Sequence, residues 1–214
     1  TTDGMMQTDH PTLRFSVIVV SHQRPRWLKR CLTALRQLDH AAFEIVIVAD
    51  RDSLQSLKGD DFKLRANDAP NISKARNLGI SAASGDVCAF VDDDAVPEPM
   101  WLRHLEDAFL KTNADAVVGY VRGRNGISFQ SRVASVDTEG ETHEENAPAA
   151  MPEVPILQSG HAVKLVGTNA AFRMHALQNV GGFDEAFAFY LDDTDISLRF
   201  AQAGMTTDEA PQAE

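Results

Sequence analysis

Three aspartates in a row, Asp92, Asp93 and Asp94, follow directly on the apolar run Val87-Cys88-Ala89-Phe90-Val91. Adjacent carboxylates repel one another, so such a triplet is retained where solvent or a cation compensates it. Oxygen ligands of this kind suit Mg2+ or Mn2+, which take one or two protein carboxylates and leave the other positions to water and substrate phosphates. In an extended turn Asp92 and Asp94 fall on one side and Asp93 on the other, which makes Asp94 and Asp92 the candidate metal ligands. The plain alternative is a solvated acidic turn ahead of Pro97. A second acidic group, Asp192, Asp193 and Asp195, follows Tyr190-Leu191. Negative charge at a helix amino terminus, favourable by about 0.3–1 kcal/mol per group, accounts for Asp195. For Asp193 the apolar lead-in implies a partly enclosed site, where a carboxylate can take the proton of a weak hydroxyl nucleophile.

These residues need a scaffold, and the sequence outlines one. Phe15 to Val20 is a β-branched run of the kind buried on both faces of a parallel sheet. After the polar turn Ser21-His22-Gln23-Arg24, Pro25 suits the first turn of a helix with Trp27, Leu28, Cys31, Leu32, Leu35 and Leu38 at helical spacing. Glu44 to Ala49 is a second strand, ending at Asp50. Asn71 is a candidate N-cap for a helix through Ala75, Leu78 and Ala82 that Gly85 stops. Val87 to Val91 is a third strand; Pro97 and Pro99 open a helix bearing Trp101, Leu102, Leu105, Ala108 and Phe109; Ala116 to Val121 is a further strand. Strands alternating with helices predict an α/β fold with a mainly parallel, Rossmann-type sheet flanked by helices. Ligands of open α/β sheets sit beyond the carboxyl ends of the strands, and Asp50 and Asp92–Asp94 both stand there. From Arg122 to His161 periodicity fails, Pro148, Pro152 and Pro155 interrupt any element, and a long mobile loop is expected. Order returns at Gly167-Thr168-Asn169-Ala170-Ala171-Phe172, then in a helix over Met174 to Val180 stopped by Gly181-Gly182. A last helix starts at Asp192 or Asp193, turns Ile196, Phe200 and Ala203 inward, and ends by Gly204.

Composition narrows the function classes. The 214 residues are 43% hydrophobic and 24% charged, ordinary globular usage for one domain. Residues 1–14 are expected to be a flexible tail and 15–214 a single domain. The net charge is −11, six of the acidic residues falling between Asp137 and Glu153, where there is no Lys or Arg. An acidic chain without a basic stripe does not suit nucleic-acid binding, and a phosphate bound here calls for a metal. No apolar run reaches the ~18 residues of a membrane span. Cys31 and Cys88 lie in apolar stretches, without metal-like or paired spacing, and read as reduced core residues of a cytoplasmic protein.

Taken in order, the pieces resemble the family 2 glycosyltransferases, whose nucleotide-sugar-binding fold is called GT-A. The resemblance is carried by Phe15 to Val20 with Ser-His-Gln-Arg-Pro after it; by Glu44 to Asp50; by Asn71-Ile-Ser-Lys-Ala-Arg-Asn-Leu-Gly79; by Gly85-Asp-Val-Cys-Ala-Phe-Val-Asp-Asp-Asp94; by Gly181-Gly-Phe-Asp-Glu185; and by Asp192-Asp-Thr-Asp-Ile-Ser-Leu-Arg199. It implies that Asp50 accepts a hydrogen bond from the nucleotide base, that Ser21, His22 and Arg24 border the nucleoside or its phosphates, and that Arg76 and Asn77 line the base or donor sugar. Asp93 and Asp94 match the second and third places of the family's Asp-x-Asp motif, holding the ribose and the metal, with Asp92 beside both. Asp193 matches the catalytic base. For Arg24, Arg76 and Arg199 solvated surface charge is the rival reading.

The expectation is thus an inverting transferase moving a sugar from a nucleotide-diphosphate sugar to a saccharide or other hydroxyl acceptor with Mn2+ or Mg2+. A non-catalytic module of the same fold, binding nucleotide or carbohydrate, is the alternative. A nucleotidyltransferase is disfavoured because Ser21 to Pro25 contains no glycine for a phosphate loop. Two departures stand out. The second strand ends Ala49-Asp50-Arg51-Asp52, where the family commonly has paired aspartates and Gly-Ser, and Arg51 bears on nucleotide preference. The family's strand after the last helix, often ending in a metal-binding histidine, has no visible counterpart before Glu214, which implies a shortened carboxyl terminus.

Overall fold

The β-branched runs do become the centre of a sheet. In a computed structural model that describes residues 12–57, 59, 61–123, 128–131, 134–144 and 161–214, β1 (Phe15–Val20) lies between β2 (Phe43–Ala49) and β4 (Val87–Asp92), parallel to both. Beyond β2 runs β3 (Phe62–Ala66), also parallel, at the edge. On the other side β11 (Asn169–Arg173) is inserted antiparallel between β4 and β5 (Ala116–Gly119), and β12 (Thr207–Ala210) closes the sheet parallel to β5. The order is therefore β12-β5-β11-β4-β1-β2-β3. Outside this sheet, β6 (Val121–Arg122) pairs with β7 (Phe129–Ser131), and β8 (Ala134–Val136) lies between β9 (Thr142–Glu144) and β10 (Ala162–Val163).

Alternate side chains of each central strand enter two cores. Phe15, Val17 and Val19 of β1 pack with α1 (Pro25–Leu35) and α4 (Trp101–Thr112) on one face. Ile18, Cys88, Phe90 and Phe172 pack on the other against α3 (Ile72–Ala82), α5 (Met174–Val180) and α6 (Asp192–Gln202). Burial on both faces is why these strands read as continuous apolar runs. Burial pushes the thiols of Cys31 and Cys88 up to about 12, as befits inert core residues. Local signals also take effect: Pro25 is the first residue of α1, the Asn71 side chain accepts from Lys74 N at 2.9 Å to cap α3, and Gly181 ends α5 at φ 78°.

Several expectations need correction. The stretch from Arg122 to His161 is not one structureless loop: β6 to β9 lie in it, each only two or three residues long and too short to show a period. Residues 145–160, with two of the six acidic residues of that stretch, and residues 1–11 of the expected tail lie outside the described residues. Leu13 and Arg14 are tied down, donating from their backbone nitrogens to Glu106 and Asp86. A strand does follow the last helix, since β12 pairs with β5 from Thr207 to Ala210. Gly85 is not a helix stop, because α3 ends at Ala82; a Cβ at Gly85 would strike the carbonyl oxygen of Arg14. Trp27 is 39% exposed and lies outside the core cluster.

A polar clasp at the amino-terminal end of the sheet gives a direct test of the packing. Glu44 accepts from Ser16 Oγ at 2.7 Å, Ser84 N at 2.7 Å and Ser84 Oγ at 3.0 Å, and pairs with Lys63 at 2.7 Å. Burial opposes its ionisation, yet these partners bring the carboxyl from its ordinary 4.5 down to about 2. A depressed folded-state value contributes stability above the unfolded pKa, and that contribution is lost as pH falls through the folded value. Glu44→Gln should therefore lower stability at pH 7 by on the order of 2 kcal/mol. In urea titrations that deficit should persist down to about pH 4.5 and shrink toward zero near pH 2.

Candidate active site

The strand order creates the site. The chain runs from β1 outward to β2 and β3, then returns to β4 on the other side of β1, so the loops leaving β1 and β4 diverge at a switch point. Val20 pairs with Asp92 across this edge. Ser21 Oγ donates to Asp93 Oδ2 at 2.7 Å, and the Arg24 guanidinium forks across Asp93 Oδ1 and Asp94 Oδ2, both at 2.8 Å. Asp93 is only 3% exposed. Burial pushes its carboxyl above the usual range, Asp92 and Asp94 add to the rise, and Ser21 and Arg24 oppose it. The bond to Asp94, reinforced by the other two aspartates, holds the Arg24 guanidinium above its ordinary value.

Two anchors fix the loop after β1. Gln23 takes the left-handed conformation, φ 56°, unfavourable for a side-chain-bearing residue, and its N–H donates to Asp50 Oδ2 at 2.6 Å. The same Asp50 caps α2 (Arg51–Gln55), accepting from Ser53 N at 2.9 Å and Ser53 Oγ at 2.8 Å. Burial alone would raise this carboxyl; the three bonds keep it below its ordinary value. Asp50 thus stands at the carboxyl edge of the sheet and ties the loops after β1 and β2 together. His22 is half-buried, and its Nδ1 is enclosed without a hydrogen-bond partner.

From the opposite side, antiparallel β11 delivers Thr168 to the same edge, where its hydroxyl donates to Asp92 Oδ2 at 2.7 Å. Behind it lies Arg76 of α3, 5% exposed, between the rings of Phe90 at 5.9 Å and Phe183 at 5.1 Å, and ion-paired with Asp192. Burial lowers its pKa, while Asp92 and Asp193 hold it up. Gly167 faces the guanidinium so closely that a Cβ there would overlap it. Asp192 is the first residue of α6, entered through Leu191 at φ 65°. The next residue, Asp193, keeps a quarter of its side chain exposed, accepts from Thr194 N at 2.7 Å and faces Lys164 Nζ at 3.8 Å. Asp195 pairs with Arg199 at 2.6 Å, whose guanidinium also caps the carbonyls of Val180 and Gly182 at 2.8 Å each.

Ser21, Arg24, Asp92, Asp93 and Asp94 are therefore brought together at one corner, and Arg76 links them to Asp192 and Asp193. Arg76 is not the solvated surface charge of the rival reading, and Arg199 is a clamp on the Gly181-Gly182 turn. Asn77 is drawn elsewhere: its amide accepts from Phe183 N at 2.9 Å and donates to Phe183 O at 2.8 Å and to Glu185 at 3.1 Å, and it borders a groove between α3 and α5. Asp193 is partly enclosed, but not by its apolar lead-in, since Phe189, Tyr190 and Leu191 are 65%, 82% and 54% exposed. Lys164 escaped the sequence reading, and Thr168 stands out there only as part of the Gly167-Thr168-Asn169 turn, a segment that shapes the donor pocket or is simply a structural turn; nothing local announces the carboxylate partner of either. Among the described residues, the only three His, Cys, Asp or Glu side chains whose ligand atoms converge within 4.8 Å are Asp137, His143 and His161.

The family model described as glycosyl transferase family 2 matches residues 16–181, a span that contains the whole switch point. The chain belongs to glycosyl transferase family 2. The pre-mycofactocin glycosyltransferase of Mycobacterium tuberculosis is 27% identical over 88% of the chain and 39% of its own length. An uncharacterised glycosyltransferase of Nostoc is 29% identical over 80% of the chain and 54% of its own length. The chain spans about half the length, or less, of these curated relatives. Two solved structures share the GT-A fold. Staphylococcus aureus TarS 1-349 with UDP-GlcNAc has a TM-score of 0.64 at 21% identity over 87% of the chain and 54% of its own. The mannosyltransferase PcManGT of Pyrobaculum calidifontis, with GDP-Man and Mn2+, also scores 0.64, at 16% identity over 94% of the chain and 56% of its own. Among the described residues no helix is long and apolar enough to cross a membrane.

The Arg76–Asp192 pair can be tested on its own. Removing one partner of a buried pair leaves an uncompensated charge, so Arg76→Met should lower stability by about 3 kcal/mol. Adding Asp192→Asn should recover part of that loss, giving a coupling of at least about 1 kcal/mol in a double-mutant cycle of urea melts.

Proposed function

We propose that this domain is an inverting glycosyltransferase that takes a nucleotide-diphosphate sugar at the switch point and delivers the sugar to a hydroxyl acceptor beside Asp193. The observation that carries the reading is the single charge network in which Arg24 and Arg76 connect the Asp92–Asp94 turn with the start of α6. The family match and the UDP-GlcNAc and GDP-Man complexes of the two structural relatives support the donor class.

The turn fits a hard divalent cation. Its donors are carboxylate oxygens, Asp92 is oriented by Thr168, and Asp94 is partly exposed beside Arg24, whose guanidinium is a cation already lying against Asp93 and Asp94. Asp94 and Asp92 would hold Mn2+ or Mg2+, the ion found with GDP-Man in the Pyrobaculum relative being Mn2+. When bound, such an ion neutralises the charge that develops on the departing diphosphate. The protein's own part is orientation. Asp93, held by Ser21 and Arg24, faces the ribose; Asp50, which anchors the loop after β1, stands toward the base; and Ser21, His22 and Arg24 border the nucleoside and its phosphates.

Asp193 accepts the acceptor's hydroxyl proton as the new C–O bond forms and the bond to the diphosphate breaks, a one-step displacement that inverts the anomeric carbon. Lys164 Nζ faces the Asp193 carboxylate at 3.8 Å, and the Arg76–Asp192 pair fixes the turn of α6 that presents it. The acceptor site borders the exposed Phe189-Tyr190-Leu191 segment, whose rings offer a platform to a saccharide.

Asp193→Asn should reduce sugar transfer at least about 100-fold, the range of a lost general base, while Mn2+-dependent nucleotide binding measured by calorimetry stays within about twofold of the unaltered domain. Asp94→Asn should remove the Mn2+ dependence of that binding. Transfer that survives in Asp193→Asn would exclude Asp193 as the base, and nucleotide binding without any transfer by the unaltered domain would favour the non-catalytic module.

A further inference from the structure

A second group of ligands lies apart from the switch point, on the small sheet of β8, β9 and β10. Asp137 directly follows β8, His143 is the middle residue of β9, and His161 directly precedes β10. Antiparallel pairing sets Ser135 opposite His143 and Val136 opposite Ala162, which draws the three side chains together. The imidazoles of His143 and His161 are 4.8 Å apart between centroids, and one ligand atom from each of the three residues lies within 4.8 Å of the others.

Each ligand is oriented by a partner of its own. Asp137 Oδ1 accepts from the backbone nitrogens of Glu139 at 2.9 Å and Glu141 at 3.0 Å, so the turn fixes the carboxylate and leaves Oδ2 facing His143 Nε2 at 2.7 Å. Ser135 Oγ lies 3.2 Å from His161 Nδ1. When the hydroxyl accepts from Nδ1–H, Nε2 carries the free lone pair, the second-shell arrangement by which metal-ligating histidines are held. Two imidazoles and one carboxylate, half exposed to water, form the donor set of a first-row transition ion with an open fourth position. The bonds to such an ion are about 2.0–2.2 Å, so the three side chains need only small rotations to close on it.

We infer that Asp137, His143 and His161 form a binding site for a divalent transition ion, with Zn2+ the ion its donors suit best. The site is chemically distinct from the Asp92–Asp94 turn, which offers a cation oxygen ligands. Its position gives it a consequence. The sheet it would fasten packs through β8 and β10 on α6, the helix that begins at Asp192 and carries Asp193. Lys164, one residue beyond β10, donates to Thr142 of β9 at 3.0 Å and faces Asp193 at 3.8 Å.

The test uses the whole chain with Zn2+ in calorimetry and Co2+ in visible spectroscopy. The unaltered protein should take up one Zn2+ and give the visible Co2+ bands of nitrogen ligation. His143→Ala/His161→Ala should lose both signals, and Ser135→Ala should weaken Zn2+ binding about tenfold, as the loss of a second-shell partner does. Asp94→Asn should leave both signals intact. His143→Gln and His161→Gln, each missing one nitrogen ligand, serve as single variants with far-UV circular dichroism as the check of folding. No Zn2+ uptake by the unaltered protein, signals undiminished in the histidine variants, or signals abolished by Asp94→Asn would each overturn the inference.

Discussion

The arrangement at the carboxyl edge depends on compensating negative charge that the fold concentrates there. Among the described residues, Asp92, Asp93, Asp94, Asp192 and Asp193 gather around Arg24, Arg76 and Lys164. Five carboxylates and three basic groups leave a negative balance in a partly desolvated place, where charge is far more costly than in water. Arg76 bears most of the constraint because it is the buried member. It lies between two aromatic rings against a glycine, pairs with Asp192, and supports Asp92 and Asp193 through space. The two left-handed residues nearby, Gln23 and Leu191, are held by Asp50 and by the α6 terminus that Arg76 anchors. Such conformations persist where the surroundings over-determine them, and they cluster at functional sites.

Topology explains why these groups meet although up to about 170 positions separate them in the chain. Parallel strands all end on one edge, and the reversal of direction at β1 leaves a gap between the loops after β1 and β4. The antiparallel β11 brings its own first residues to that edge, so Thr168 reaches Asp92 from the side that parallel strands leave open. A family 2 domain thereby gathers the Asp92–Asp94 corner and the neighbouring Asp193 carboxylate from segments far apart in the chain.

Much of this was legible in the sequence, and the limits have physical causes. β1, β2, β4 and β5 could be read because burial on both faces leaves apolar runs, and α1, α3, α4 and α6 because a helix with one buried face keeps its period. β3 was hidden because an edge strand carries charge: Lys63 and Arg65 interrupt its apolar residues, as edges require. β12, Thr207-Asp208-Glu209-Ala210, carries no apolar signature at all, and β6 to β10 are too short for any period. At the site, the aspartates at strand ends could be named in advance because sequence alone fixes where a strand stops. The partnership of Arg76 with Asp192 could not, because 116 positions separate them and nothing local to an arginine reveals its burial. Asn77 misled for the same reason: adjacent to Arg76 on α3, it turns its amide to Phe183 and Glu185.

The central claim is that the acidic turn after β4 is completed by a cation held together with the diphosphate of a sugar nucleotide. The most direct measurement is a crystal structure of the domain soaked with Mn2+ and a sugar nucleotide, the ion located by its anomalous scattering. The account predicts a peak on the Asp94 carboxylate with the diphosphate beside it and the nucleoside toward Asp50 and Ser21. A peak and a nucleotide found together anywhere else on the domain, with the aspartate turn unchanged, would contradict it.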